Sequence, residues 1–148
     1  MPMIDVYAPA DMFPADADEE LGSELALAVL RAEGVAKPVP FQSNNTAAFV
    51  HRLPVVSTAA QPSARSVRVQ IITPPGSLDR DGQKQLTREA TDIVARIAGD
   101  PSLVERTWVI LTVAAEGGWG IGGTAYGVEE FGALVRAAAA ARAAAVSE

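Results

Sequence analysis

Apolar and polar residues alternate along the first segment of the chain, which predicts a β-strand over residues 2–8. Ile4, Val6 and Ala8 fall on one side of this strand, and Asp5 and Tyr7 fall on the other. Three more short runs, rich in apolar and β-branched residues, predict further strands: Ala47–Leu53, Val67–Ile72 and Thr107–Val113. The pattern therefore predicts four strands.

A segment with apolar residues at helical spacing lies between the first and second predicted strands, and another lies between the third and fourth. One apolar stripe ends at Gly34 and the other ends at Gly99, each where a left-handed helix cap is expected. The stripes consist of Leu21, Leu25, Ala28 and Val29, and of Leu86, Ala90, Ile93 and Ile97. The Ala-rich tail at 128–146 also favours a helix.

The order strand–helix–strand thus occurs twice, with a period of about 60 to 65 residues. Each unit is typical of a βαβ crossover, whose two strands lie parallel in one sheet. We expect an α/β fold with a four-stranded sheet, two helices on one face and a C-terminal helix. We interpret residues 1–148 as one domain, with units at about 2–54 and 67–126, a linker at 54–66 and a helix at about 128–146.

The last strand is apolar on both of its faces. Trp108 and Ile110 point one way, and Val109 and Leu111 point the other. Sheets with two apolar faces are normally buried on both. We therefore expect a homo-oligomer in which sheets pack against each other.

Composition excludes several classes of function. The 148 residues carry a net charge of −6 and lack a basic cluster, which argues against nucleic-acid binding. The sequence has no cysteine and one histidine, His51, so we expect no disulfide and no metal centre. No apolar run approaches the roughly 20 residues that span a bilayer. Because the first residues also lack the features of a signal peptide, we expect a cytoplasmic protein without membrane partners.

A glycine-rich segment follows the last strand, with the sequence Gly118-Trp-Gly-Ile-Gly-Gly123. It lacks the lysine and the following helix of a phosphate-binding loop. The segment resembles the hairpin of the tautomerase superfamily, typified by 4-oxalocrotonate tautomerase. The start Met1-Pro2-Met3-Ile4, the strand from Val67 and the segment 81–84 are similar to the same family.

This resemblance implies the fused form of the family, with two βαβ units in one chain and assembly as a homotrimer. It also implies that Pro2 becomes the amino terminus after removal of Met1 and acts as the catalytic residue. An α-amino group ordinarily titrates near ~7.7–8.0. Burial or a nearby guanidinium lowers that pKa, so the amine would be a neutral base near neutral pH. Val67, the matching residue of the second unit, is internal and cannot act in this way.

An arginine is expected to bind the carboxylate of a 2-oxo acid substrate. The family places one in the loop after the first strand of a unit, which makes Arg80 the first candidate. Arg68 is the second candidate, because it lies on the opposite strand face from Val67 and Val69. Arg52 and Arg106 are weaker candidates, and the first unit has no arginine in this loop.

The aromatic residue of the hairpin, Trp119, is expected to line the pocket and keep the amine dry. Trp108 stands where 4-oxalocrotonate tautomerase has a substrate-binding arginine. His51 and Tyr7 complete the candidate binding residues, although His51 is equally compatible with a structural role. Glu116, Glu129 and Glu130 are candidates for activating water in related chemistry.

The sequence therefore predicts a cofactor-independent tautomerase, an isomerase that acts on an enol or a 2-oxo acid through Pro2. Two alternatives remain open. One is dehalogenation, hydration or decarboxylation of a three-carbon acid, with Pro2 as a general acid. The other is a trimeric scaffold without catalytic activity.

Overall fold

A computed structural model describes residues 1–147; the predicted domain end at Glu148 lies outside the described residues. The structure consists of a four-stranded sheet in the order β2-β1-β3-β4, a two-stranded sheet β5-β6, and helices. The strands are β1 (Met3–Pro9), β2 (Ala47–Leu53), β3 (Val67–Thr73), β4 (Thr107–Val113), β5 (Trp119–Ile121) and β6 (Thr124–Tyr126). The helices are α1 (Asp18–Ala32), α2 (Pro40–Asn44), α3 (Arg80–Ala98) and α4 (Val128–Val146).

The main sheet is built from two parallel strand pairs joined antiparallel. β1 pairs parallel with β2 and β3 pairs parallel with β4, as the two predicted crossovers require. β1 and β3 are antiparallel, so the start of β1 lies at the same sheet edge as the end of β3. This edge brings residue 1 next to the loop after β3.

Helices α1 and α3 pack together on one face of the sheet. Ile4 and Val6 of β1 and Val69 and Ile71 of β3 are fully buried beneath them. Burial of such side chains stabilises the fold by about 1.5–3 kcal/mol each relative to exposure. The core is therefore formed by the alternating residues that the sequence predicted.

Helix α3 has a strong signal at each end. The carboxylate of Asp79 accepts a hydrogen bond from the N–H of Gly82 at 2.7 Å, and Gly99 ends the helix with φ of +66°. A left-handed residue favours glycine, which has no Cβ to clash. These signals explain why the predicted and observed positions of α3 agree.

The opposite face of the sheet is open. Phe49, Trp108 and Ile110 lie on it and are each about half exposed, at 50%, 48% and 45%. In a single chain this apolar face is therefore uncovered, and it is the face on which the sequence predicts contact between copies. Exposed apolar areas of this kind are typical of protein interfaces.

Three local features connect the main elements. Helix α1 begins after Ala17, without a side-chain hydrogen bond at its cap. The segment between α1 and β2 contains the short helix α2, which begins at Pro40 because proline fits the first turn of a helix. Between α3 and β4, Pro101–Arg106 forms a 3₁₀ helix.

Candidate functional site

A cavity of about 1150 Å³ opens at the sheet edge where β1 begins. Its walls come from three segments: the chain after α1, the loop after β3, and one side of α4. Most of its lining residues are apolar, and its polar groups are few. A concave, mainly apolar space with a few convergent polar groups is the usual form of a small-molecule site.

The amino-terminal nitrogen of Met1 lies in the wall of this cavity, beside a buried carboxylate. The nitrogen is 3.5 Å from Glu33 Oε2, and the side chains of both residues are only 5% exposed. Burial lowers the pKa of the Met1 amine, while the charge of Glu33 acts in the opposite direction. Burial likewise raises the pKa of Glu33. The two groups therefore form a coupled acid–base pair, because each alters the protonation of the other.

Glu33 has a second oxygen with no partner. Its Oε1 is buried and accepts no hydrogen bond within the described chain. The nearby Ser77 hydroxyl donates to the carbonyl of Pro74 at 2.9 Å, and its proximity to Glu33 acts to lower the pKa of that carboxyl, against the larger effect of burial. Buried polar atoms without partners are uncommon in native proteins, and each one requires an explanation.

A small apolar cluster surrounds the start of the chain. Met1 packs with Trp119 of β5 and Phe131 of α4, and these residues are 8%, 6% and 8% exposed. Trp119 Nε1 is the other buried side-chain atom without a partner among the described residues. Trp119 thus packs near the chain start, but it is not among the residues that line the cavity, so its role in keeping the amine dry stays a prediction.

Helix α4 supplies arginine to the cavity. Arg136 and Arg142 both line it, and Arg142 donates to the carbonyl of Lys37 at 3.4 Å. The guanidinium of Arg136 lies over Gly132, where an added Cβ would be 3.1 Å from Nη1. The glycine therefore provides the space in which this guanidinium rests.

Pro2 is buried at the start of β1, and its carbonyl accepts a hydrogen bond from Ala47 at 3.3 Å. Its own nitrogen is in the peptide bond to Met1. Successive backbone nitrogens are at most about 3.6 Å apart. The Pro2 nitrogen is therefore within one residue of the Met1–Glu33 pair.

Three of the predicted binding residues lie together on the open face of the sheet, away from this cavity. Tyr7 stacks on His51 with ring centroids 4.5 Å apart, and Arg68 lies 4.3 Å from the centroid of the Tyr7 ring. Trp108 pairs with Arg68 in the next strand. Tyr7 is about 16 Å from Pro2 along β1, given a rise of about 3.3 Å per residue.

The remaining predicted residues have local structural partners. Arg80 is exposed at the start of α3 and donates to Gln83 at 3.2 Å, outside the cavity lining. Arg52 donates to both oxygens of Asp18 and to three carbonyls of the loop before α1. Glu116 and Glu130 accept hydrogen bonds from backbone N–H groups at the start of α4.

Sequence reasoning missed Glu33 and Arg136. Glu33 follows α1 directly, where a charged residue ordinarily faces solvent, and its burial depends on contacts distant in sequence. Arg136 had a weak signal, since Gly132 precedes it by one helical turn and leaves room for a long side chain at that position. Both residues reach the site only because the sheet edge, α1 and α4 meet there.

Metal binding has no visible donor set. Among residues 1–147, no group of three or more His, Asp or Glu side chains is arranged to hold a metal ion. No helix within the described chain is long and apolar enough to cross a membrane.

Comparisons with known proteins bear on the fold. No protein-family model and no curated protein sequence matches the chain. Many solved structures do match, among them a macrophage migration inhibitory factor-like protein from Entamoeba histolytica. The TM-score with that protein is 0.68 at 16% identity, covering 84% of this chain and 98% of the other.

Two further solved structures match over a similar share of the chain. A symmetric trimer of wild-type fused 4-OT gives a TM-score of 0.69 at 16% identity, covering 82% of this chain and 93% of the other. N1, a member of the cis-3-chloroacrylic acid dehalogenase family, gives 0.67 at 14% identity, with 90% of each chain covered. All three are members of the tautomerase superfamily. The chain therefore has a tautomerase-like α/β fold, as its sequence predicted.

Proposed function

We propose that this chain is a cofactor-independent tautomerase in which Pro2, freed by removal of Met1, is the catalytic base. One observation carries the proposal. The first residue of a tautomerase-like fold is buried in the wall of a large cavity, with its nitrogen beside Glu33. Removal of Met1 would expose the secondary amine of Pro2 within about 3.6 Å of this position.

The reaction is keto–enol tautomerisation of an enol or a 2-oxo acid. Burial disfavours the ammonium form, so the amine of Pro2 is a neutral base near neutral pH. The neutral amine takes the hydroxyl proton of the enol and delivers a proton to carbon. Trp119 and Phe131 keep water from the amine, which strengthens the electrostatic contacts of the site.

Arginine is expected to bind the substrate carboxylate. Arg136 is our first choice, because it lines the cavity and its guanidinium is free of ion pairs with the described carboxylates. The predictions for Arg80 and Arg68 stay predictions, and they require that a neighbouring copy bring either residue to the cavity. The same holds for Trp108, His51 and Tyr7.

We also propose that the chain is a homotrimer. Support comes from the open apolar face that carries Trp108 and Ile110, and from the trimeric fused 4-OT of similar fold. Packing of these faces would bury the side chains that a single chain leaves exposed.

A second function has one observation in its favour, the carboxylate of Glu33. In hydration, dehalogenation or decarboxylation of a three-carbon acid, Glu33 would activate water and a cationic Pro2 would act as general acid. The charge of Glu33 favours the cation, and burial disfavours it. A titration of the ¹⁵N-labelled amine separates the two functions: a pKa of about 6 to 7 supports the base, and one above about 9 supports the acid.

The test begins with the intact mass of the purified protein, which reports whether Met1 has been removed. Wild type and Pro2→Ala are then assayed with phenylenolpyruvate, 2-hydroxymuconate and 3-haloacrylates. Pro62→Ala, in the linker, is the matched control. We expect ketonisation by wild type and the control, and its loss in Pro2→Ala.

Equal activity of wild type and Pro2→Ala would contradict the proline mechanism. Retention of Met1, together with inactivity toward every substrate, would favour the non-catalytic scaffold.

A further inference from the structure

Glu33 is the group that the proposed mechanism leaves without a role. Its carboxyl is 95% buried, one oxygen is 3.5 Å from the chain's first nitrogen, and the other has no partner. Isolating a carboxylate from water costs several kcal/mol unless hydrogen bonds compensate. An unpaired buried oxygen in the wall of a cavity is therefore suited to a hydrogen bond from a ligand.

The position of Glu33 relative to Pro2 fits a shared substrate atom. Removal of Met1 would vacate the place of its nitrogen, 3.5 Å from Glu33 Oε2 and at most about 3.6 Å from the Pro2 nitrogen. A substrate atom placed there would lie within about 3.6 Å of both groups. Trp119 Nε1, a buried N–H without an acceptor among the described residues, belongs to the same cluster around Met1.

We propose that Glu33 is a second catalytic residue, which exchanges a proton with the substrate oxygen while Pro2 exchanges a proton with the substrate carbon. This inference rests on the proposed function and changes one step of it. A single amine no longer carries the proton from oxygen to carbon; two adjacent groups each perform one transfer. The substrate class is a carbonyl compound with an enolisable C–H next to its carbonyl.

The step balances with one proton held by the pair. The pair rests as neutral amine and carboxylic acid, and in ketonisation transfer of its one proton from Glu33 to Pro2 first gives ammonium and carboxylate. The ammonium of Pro2 then gives its proton to carbon, and the C=C electron pair forms the new C–H bond. The carboxylate of Glu33 takes the hydroxyl proton, and the O–H electron pair becomes the second bond of the carbonyl. The pair ends again as neutral amine and carboxylic acid.

The net charge of the pair does not change during the reaction. Ammonium with carboxylate and amine with carboxylic acid both sum to zero, so neither state leaves an uncompensated charge in an apolar site. The other charged groups that face the cavity are cations: Lys37 after α1, and Arg136 and Arg142 on α4. These cations favour the carboxylate of Glu33 and disfavour the ammonium of Pro2, so their two effects on the energy difference between the states oppose each other.

The experiment compares wild type, Glu33→Gln and Glu33→Asp in the ketonisation of phenylenolpyruvate over pH 5–10. Glu105→Gln, an exposed residue with the same change of charge, is the matched control. General acid–base groups contribute about 10²–10⁴-fold to rate. We expect Glu33→Gln to lower the plateau of kcat by at least about 100-fold with little change in KM, and Glu33→Asp to restore part of it.

The pH profile separates catalysis from a purely electrostatic role. If Glu33 only raises the pKa of the amine, Glu33→Gln moves the acidic limb to lower pH and leaves the plateau intact. That result would overturn the inference, while leaving Pro2 as the base. Turnover that survives in Pro2→Ala would instead overturn the proposed function, so the two failures are distinguishable.

We expect the wild-type profile to be bell-shaped, because the active pair holds one proton and loses activity when it gains or loses another. Glu33→Gln should retain a single limb. A bell-shaped profile of full height in Glu33→Gln would contradict the assignment.

Discussion

Helix α4 offers a prediction in which stability and substrate binding change in opposite directions. Gly132 lies in the first half of α4, and its missing Cβ leaves room for the Arg136 guanidinium. Alanine stabilises a helix interior by about 0.5–1 kcal/mol relative to glycine. The clash in Gly132→Ala is with the end of a flexible side chain, which can move away. We therefore expect a more stable protein whose arginine is displaced from its place.

The cost to binding follows from the exposure of Arg136. A charged hydrogen bond contributes about 1.5–3 kcal/mol when shielded, whereas an exposed ion pair contributes at most about 1 kcal/mol. Arg136 is exposed in the free chain and would be covered in part by a bound ligand. We expect Arg136→Ala to lose about 1–2 kcal/mol, or roughly 5- to 30-fold in kcat/KM. Gly132→Ala should lose a smaller part of the same free energy.

The assay uses the substrate as a second variable. The rate constants are measured with an enolisable acid and with its uncharged methyl ester, for wild type, Arg136→Ala, Gly132→Ala and the control Arg88→Ala, an exposed arginine of α3 outside the cavity lining. We expect the effect of Arg136→Ala to vanish with the ester, because the ester has no carboxylate. Thermal unfolding measures the gain in stability of Gly132→Ala. An equal loss with acid and ester would refute the assignment of Arg136 as the carboxylate anchor.

Three further predictions concern assembly and stability. Trp108→Glu should convert the proposed trimer to a monomer in light scattering, whereas Val104→Glu should remain a trimer, because Val104 is equally exposed at 48% but lies outside the open face. A trimeric Trp108→Glu variant would contradict the proposed interface. Gly82→Ala should lower the free energy of unfolding, measured in urea, by about 1–3 kcal/mol, because the new Cβ would be 2.7 Å from the carbonyl oxygen of Ala32. A decrease below about 0.5 kcal/mol would contradict this close contact. Arg52→Lys should lower the free energy of unfolding by about 1–3 kcal/mol and leave kcat unchanged, because lysine cannot reproduce the hydrogen bonds of the guanidinium to one carboxylate and three carbonyls. A fall in kcat at unchanged stability would instead indicate that Arg52 acts in the site.

The fold could be predicted because its signals are local and repeated. Alternation in β1 and β3, the helical stripes, and the caps at Asp79 and Gly99 each define an element within a few residues. The glycine-rich hairpin then supplied the resemblance that selected one topology. Helix α2 escaped prediction because it has a single turn and no apolar stripe.

The cavity could be predicted only in part, because its residues come from segments far apart in the chain. Trp119 was expected near the chain start from the hairpin alone, and it packs against Met1. Glu33 gave no such signal, since nothing near it in the sequence indicates a buried carboxylate. The choice of Arg80 and Arg68 relied on position relative to strands, and this reasoning could not include α4, whose direction depends on tertiary contacts.

The two halves of the chain contribute differently to the site, and the strand directions explain why. Because β1 and β3 are antiparallel, the start of the second unit, at Val67, lies at the opposite sheet edge from Pro2 and is fully buried. The end of β3 lies beside Pro2 instead, so the loop from Pro74 to Ser77 forms a wall of the cavity. The first unit therefore provides the amine and Glu33, and the second provides the wall and Trp119. Under the proposed function, two units in this arrangement would provide one proton-transfer site per chain, because only one of the two first strands begins at the cavity.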